Sequence, residues 1–314
     1  QLHGREGEED LARLRALAPG RPLWQAFRLR QPEDAAPANA SSADSILLDS
    51  GLYEQRQEIE DTLQNAGLTP VGILGTHAHN DHSSNHHYFQ QKYHLPVALP
   101  LGEAAVCCTA ENLKSLFFMD SMQALLSNER VSHMVVQADR VILPQEDEID
   151  FCGAKFGIVH TPGHSADHLA ICTPDDVLYL GDALLTGTEL DSARFPYHFC
   201  FQKAIETMRA LKSIPAKRYL AAHKGVYETL DDLPERNIQL IESRAERILK
   251  LIDRPLNLSE LSLRVCADFH LRSRVRGAVA LYERNIRCYL EYLLDTGRLE
   301  SVPTDGIFYY RPKV

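Results

Sequence analysis

Five of the chain's 14 histidines fall between positions 77 and 87, and four potential ligands crowd the run Thr-His-Ala-His-Asn-Asp-His at 76–82. His77 and His79 are two apart and can converge on one cation, while Asp81 and His82 follow at once and can face a second. An isolated His-x-His pair is more often surface or core histidine than a ligand pair, but four donors in six positions are too dense for that reading to prevail. Imidazole nitrogen and carboxylate oxygen are the donors zinc takes, and iron or manganese in the same geometry, with zinc the default for hydrolysis. Two divalent ions are therefore expected at this loop.

Such a loop needs a rigid platform. The stretch VGILGTH at 71–77 reads as an apolar strand up to Gly75, so the histidines stand at its carboxyl edge, where open α/β sheets place ligand sites. Upstream, ILLDSG at 46–51 is a short apolar run ending in a turn signal, followed by a helical pattern over 54–68; together these make a β-α-β beginning. Downstream come PVALP at 96–100 and two helical patterns through 102–127. The short strands RVILP, EIDFC, AKFGIVH, HLAIC and VLYLGD follow, then a helix over 199–214 and the strand RYLAAH at 218–223. This alternation predicts an α/β fold, with sheets covered by helices. Segment 31–45, rich in Pro, Ala, Ser and Asp, reads as an exposed loop or hairpin tip between two strands.

From about 232 the pattern changes. Ile238, Ile241, Ala245, Ile248 and Ile252 mark a long amphipathic helix that stops before Pro255, and LSELSLRVCADF is a second, shorter one. In a third, Val275, Val279, Tyr282, Ile286, Tyr289 and Leu293 form one apolar stripe ended by Gly297; two short strands then flank a Thr-Asp-Gly turn. Helices followed by a hairpin make a winged-helix-like plan. The division expected is 1–231 for the chemistry and 232–314 for a small helical domain.

The first motif resembles that of the metallo-β-lactamase superfamily, His-x-His-x-Asp-His, whose later ligands arrive one at a time from strand ends. HTPGHSADH at 160–168 looks like its Pro-Gly-His motif, by which His164 completes the site of His77 and His79. VLYLGD supplies Asp182, which matches the carboxylate bridging both metals, and RYLAAHKG supplies His223, which matches the final ligand of the site of Asp81 and His82. The resemblance spans nearly all of residues 20–230. It implies an αββα sandwich, two mixed sheets flanked by helices, here with the winged-helix-like tail. It also implies a binuclear hydrolase with an open position for a bridging water. The oxygen-reducing flavoprotein branch has Glu where this chain has His79. The HTPGHS run and helical tail are similar to the glyoxalase-II-like and β-lactamase-like-protein branch; the ending is also similar to that of a mitochondrial single-stranded-RNA endonuclease.

The resemblance thus implies a hydroxide shared by two cations, attacking an electrophilic centre while the ions stabilise the developing charge. Asp81 would orient the nucleophile or pass a proton to the leaving group, His223 would be mainly a ligand, and loss of Asp182 would damage most. His160 and His168 are assigned to supporting or packing roles, and His86 and His87 to ordinary core or surface duty on the helix after the loop. Tyr197 and His198 are candidates to face substrate. A small ester, thioester or lactone is the expected substrate. The alternatives are a phosphodiester or RNA, or a protein that binds nucleic acid or a partner and uses the metals as a sensor.

Bulk properties weigh on that choice. A net charge of −10 and a pI near 5.8 argue against coating nucleic acid or anionic membrane. Residues 255–314 carry nine Lys or Arg against seven Asp or Glu, about +2, which leaves about −12 for the rest. Arg272, Arg274 and Arg276 at the start of the last helix could meet phosphates, although a solvated helix end in a packing or homodimerisation module is the plainer account. Seven cysteines without a Cys-x-x-Cys pair fit reduced thiols. With no apolar run long enough to span a membrane and a charged opening QLHGREGEEDLARLRAL, a cytoplasmic location is expected.

Overall fold

The computed structural model describes residues 24–29, 42–117, 121–223 and 225–313. The expected loop at 31–45 lies outside them except for its last residues, as does the charged opening. The first sheet runs in the order β1 (Gln25–Arg28), β2 (Ala43–Leu48), β3 (Leu68–Leu74), β4 (Val97–Pro100), β5 (Arg140–Ile142). All its pairs are parallel except β1 with β2. The second sheet comprises β6 (Glu148–Phe151), β7 (Ala154–His160), β8 (Leu169–Cys172), β9 (Val177–Tyr179), β10 (Arg218–Leu220) and β11 (Val226–Tyr227), and in it only β9 and β10 pair in parallel.

The two-residue side-chain period of each strand sorts the core into layers. Ile46, Leu48 and Leu74 meet Phe156, Leu169, Ile171 and Tyr179 between the sheets. Their alternates Leu47 and Ile73 point outward beneath α1 (Arg56–Asn65), which buries Ile59 and Leu63. On the far side Ala170 and Leu178 lie beneath later helices. Two sheets face to face with helices on both outer faces follow from this alternation.

The helices after β3 are α2 (Asn80–Ser83), α3 (His86–Tyr93), α4 (Leu101–Cys107), α5 (Ala110–Phe117), α6 (Met122–Leu126) and α7 (Glu129–Ser132). Residues 102–127, read from sequence as two helical patterns, thus hold three described helices. The breaks fall at local caps: the Thr109 hydroxyl accepts the Asn112 N–H at 3.2 Å, and the Ser121 hydroxyl accepts that of Ala124 at 3.0 Å. Helices α8 (Gly187–Ser192) and α9 (Phe201–Leu211) belong to the second half.

The tail comprises α10 (Leu233–Lys250), β12 (Leu256–Asn257), α11 (Leu258–Asp268), α12 (Arg276–Asp295) and the hairpin β13 (Leu299–Thr304) and β14 (Ile307–Pro312), with β14 between β12 and β13. Asp305 and Gly306 both have positive φ, as a two-residue hairpin turn of the right twist requires. Ile286, Tyr289 and Leu293 of α12 are buried, but Val275 and Val279 are exposed. The apolar stripe read from sequence is therefore a core face only in its second half, where Ile286, Tyr289 and Leu293 join the cluster made with α9, α10 and α11. One hydrophobic cluster joins Ala170 and Leu178 of the second sheet, α9, α10, α11 and α12 across residue 232. Among the described residues all seven cysteines are free thiols, and no helix is long and apolar enough to cross a membrane.

Candidate metal centre

Strand ends position every donor. β3 leads into His77, His79, Asp81 and His82; the turn between β7 and β8 carries His164; Asp182 follows β9 and His223 follows β10. The turn at His164 has room for one residue type only at Gly163. Its φ is +136°, and a Cβ there would stand 2.3 Å from the backbone of Ala204. The close approach lets the N–H groups of Phe199 and Cys200 donate to the carbonyls of His164 and Gly163 at 3.2 and 3.0 Å, which fixes the turn against the start of α9.

All seven expected residues come together, in two groups whose donor atoms lie within 4.8 Å of one another: His77, His79 and His164, and Asp81, His82, Asp182 and His223. In the first, His79 Nδ1 is 3.1 Å from His77 Nε2 and 2.9 Å from His164 Nε2. Two nitrogens bound to one tetrahedral ion at about 2.0–2.1 Å would be roughly 3.3 Å apart, so the spacing suits a shared cation. Burial pushes all three imidazoles down, His79 to about 3 and the other two well below the ordinary value, keeping them in the neutral, ligating form. In the second group His82 Nε2 and His223 Nε2 stand 3.2 and 3.1 Å from Asp182 Oδ1, with Asp81 at 3.9 and 3.8 Å. Asp182 Oδ2 is 3.3 Å from His164 Nε2, so its carboxylate faces both groups.

The donor set fits a pair of cations. His82 Nε2 and Asp182 Oδ1 are buried without a hydrogen-bond partner of proper geometry, a cost that a cation between them would remove. Burial alone would lower His82, but Asp182, Asp81 and Asp49 outweigh it and hold a proton there well above the ordinary range. Burial would likewise raise Asp182, but His82 and His223 hold it well below. A divalent cation would take over from that proton as counter-charge.

Supporting groups set the tautomers. The buried Asp49, just past β2, accepts the Thr76 N–H at 2.7 Å, the Thr76 hydroxyl at 2.8 Å, His82 Nδ1 at 2.8 Å and the Tyr179 hydroxyl at 2.9 Å. Since the Thr76 hydroxyl donates to Asp49, it accepts from His77 Nδ1 at 3.0 Å, which turns the Nε2 lone pair of His77 to the centre. His168 hydrogen-bonds Thr161 through Nδ1 at 2.7 Å and accepts the Asp182 N–H at Nε2 at 3.1 Å, as its supporting assignment expected. Asp49 escaped sequence reasoning because a lone Asp after an apolar run looks like any turn residue.

The remaining histidines named from the sequence lie outside both donor groups, although His198 packs its ring on that of His164 at 5.8 Å between centroids. His86 is fully buried and bonds the Ser50 hydroxyl at 2.7 Å, His87 is exposed, and His160 points to the carbonyl of Glu146 at 3.0 Å. His198 is buried beside Phe201. Tyr197 packs its ring on His79 and His164, at 5.7 and 5.9 Å between centroids.

The centre opens on one side. Side-chain exposure is 28% for Asp81 and 24% for His223 but 11% for Asp182 and zero for His82, so approach is past Asp81. A cleft of about 330 Å³ stands there, walled by Asn128 and Val131, by Tyr197 and, from α12, by Leu281 and Arg284. The Arg284 guanidinium lies 4.2 Å from the Tyr197 ring centroid, its hydrogen bond to the Leu116 carbonyl anchoring it. A charged residue on a helix gave no sequence signal of this inward position.

Residues 40–223 match the metallo-beta-lactamase superfamily, and the chain belongs to that family. It is 25% identical over 156 residues to the acyl-coenzyme A thioesterase MBLAC2 of Bos taurus, covering 48% of this chain and 53% of that one. It is 24% identical to a hydroxyacylglutathione hydrolase of Thiobacillus denitrificans, over 67% of this chain and 71% of the relative. The match thus spans about half the length of the first of these relatives. A metallo-beta-lactamase family protein of Thermus thermophilus shares the fold with a TM-score of 0.64 and 21% identity, over 94% of this chain and 96% of that one.

Proposed function

We propose that this chain is a binuclear metal hydrolase, with zinc as the preferred ion, acting on a small thioester or ester. The observation that carries the reading is the carboxylate of Asp182, which stands within 3.3 Å of ring nitrogens from both donor groups. A pair of divalent cations would supply Lewis acidity and a water acidified to near neutral pH.

The chain's own groups do the rest. Asp81, at the open lip, is placed to hold a proton in reach of a leaving group entering past it. Asp49, Thr76 and His168 keep the donors in their ligating tautomers and orientations. Val131, Leu281 and the Tyr197 ring offer apolar walls to an acyl group and exclude water from it, while Asn128 and Arg284 offer polar contacts. The thioester preference is supported by two relatives, one named as a thioesterase and one as a hydrolase of hydroxyacylglutathione.

The test is metal analysis of the purified protein together with hydrolysis of a thioester, a lactone and bis(p-nitrophenyl)phosphate. Two ions per chain and thioester turnover abolished in Asp182→Ala and His79→Ala support the proposal. Turnover of the phosphodiester alone, or turnover surviving Asp182→Ala, overturns it.

A further inference from the structure

Glu103 sits in the first turn of α4 yet is only 2% exposed. Its Oε2 accepts the Ala78 N–H at 2.9 Å, and its Oε1 accepts both the Ser165 hydroxyl at 2.6 Å and the Asp167 N–H at 3.0 Å. The clamp is reciprocal, since the Gly102 N–H donates to Asp167 Oδ2 at 2.8 Å. Ala78 lies between His77 and His79, and Ser165 follows His164. One carboxylate therefore ties together two loops, 85 residues apart, that carry the whole first donor group. Among the described residues, the hydrogen bonds of Glu103 run to residues flanking that group and to none flanking Asp81, His82, Asp182 or His223.

We infer that Glu103 is a positioning residue that sets the affinity of the first cation, the one between His77, His79 and His164, while leaving the second essentially untouched. The inference rests on the two-cation reading above. Ligand atoms must be held within about half an ångström of the productive geometry for tight binding, and here that precision comes from backbone placement at 78 and 165–167. A carboxylate is needed because three donors converge on it. An amide of the same shape keeps one acceptor oxygen and turns an NH2 group against an N–H or O–H that has nowhere else to go. Asp49 differs, since it touches His82 directly and His77 through Thr76 and so serves both groups.

The test is stepwise titration of chelator-stripped protein with Zn²⁺ against a chromophoric chelator, repeated with Co²⁺ to follow its absorption bands. Wild type takes two equivalents. Glu103→Gln is expected to keep one tight equivalent and bind the other about 10–100-fold more weakly. In a His164→Ala background, where the first group is already broken, Glu103→Gln should add no further loss. If Glu103→Gln does not fold, Ser165→Ala keeps the carboxylate, removes one of its three donors and should show the same selective weakening to a smaller degree. Equal weakening of both equivalents, or a lowered melting temperature with both affinities intact, overturns the inference. A wild type that binds fewer than two equivalents defeats the two-cation reading itself.

Discussion

Asp49 offers the sharpest check on how the centre is built. Asp49→Asn preserves shape and volume but removes the charge that four donors share. Its Oδ2 accepts from the Thr76 hydroxyl, His82 Nδ1 and the Tyr179 hydroxyl, and its Oδ1 accepts from the Thr76 N–H. If the amide oxygen takes the Oδ2 place, the NH2 faces the Thr76 N–H, and a buried unsatisfied donor costs about 1–3 kcal/mol. The other three bonds fall from charge-assisted to neutral strength, and the buried pair with His82 is broken, a change of about 3–5 kcal/mol in comparable pairs. These losses overlap, so we expect metal-free Asp49→Asn to be less stable by about 3–5 kcal/mol. Urea unfolding of chelator-treated protein, followed by circular dichroism, measures this. Because the bond that fixes the tautomer of His82 also weakens, affinity at the second donor group should fall about 10–100-fold. A stability loss under about 1 kcal/mol with both metal affinities unchanged would refute the idea that Asp49 organises the centre.

Two further outcomes follow from the geometry. Burial depresses His86, His168 and His198 to about 4 each, so each contributes stability that is present above its unfolded value near 6.5 and lost as pH falls through the folded value. Urea midpoints of metal-free protein should therefore drop steeply between about pH 6.5 and 4, with His198→Phe reducing the slope, and a flat profile across that window would contradict the depressed values. Leu281→Trp should narrow the cleft from the α12 side, raising KM for a long acyl thioester about tenfold relative to a short one at unchanged metal content; equal effects on both lengths would place the acyl group elsewhere.

The seven donors were legible because ligation demands particular residue types, and four of them crowd into one loop whose resemblance to a known motif identifies the rest. The sandwich was legible too, since its strands are short, apolar and separated by turn residues. Asp49 and Glu103 were not. A single Asp after a strand is common turn chemistry, and a Glu in the first turn of a helix is what the helix dipole favours on any solvated surface. Their roles depend on loops far away in sequence, which no local pattern encodes. The stripe on α12 failed for the same reason: a 3.6-residue period says which side is apolar, but which stretch of it the neighbouring helices cover is decided by tertiary packing, and Val275 and Val279 stay exposed.

Helix α12 serves two masters. Tyr289 and Leu293 are seated in the cluster beneath the second sheet, while Leu281 and Arg284, about two turns and one turn before Tyr289 on the same rod, border the cleft. None of the seven donors lies on it. On the proposed function, substitutions at this end of the helix would alter substrate preference without touching a metal donor.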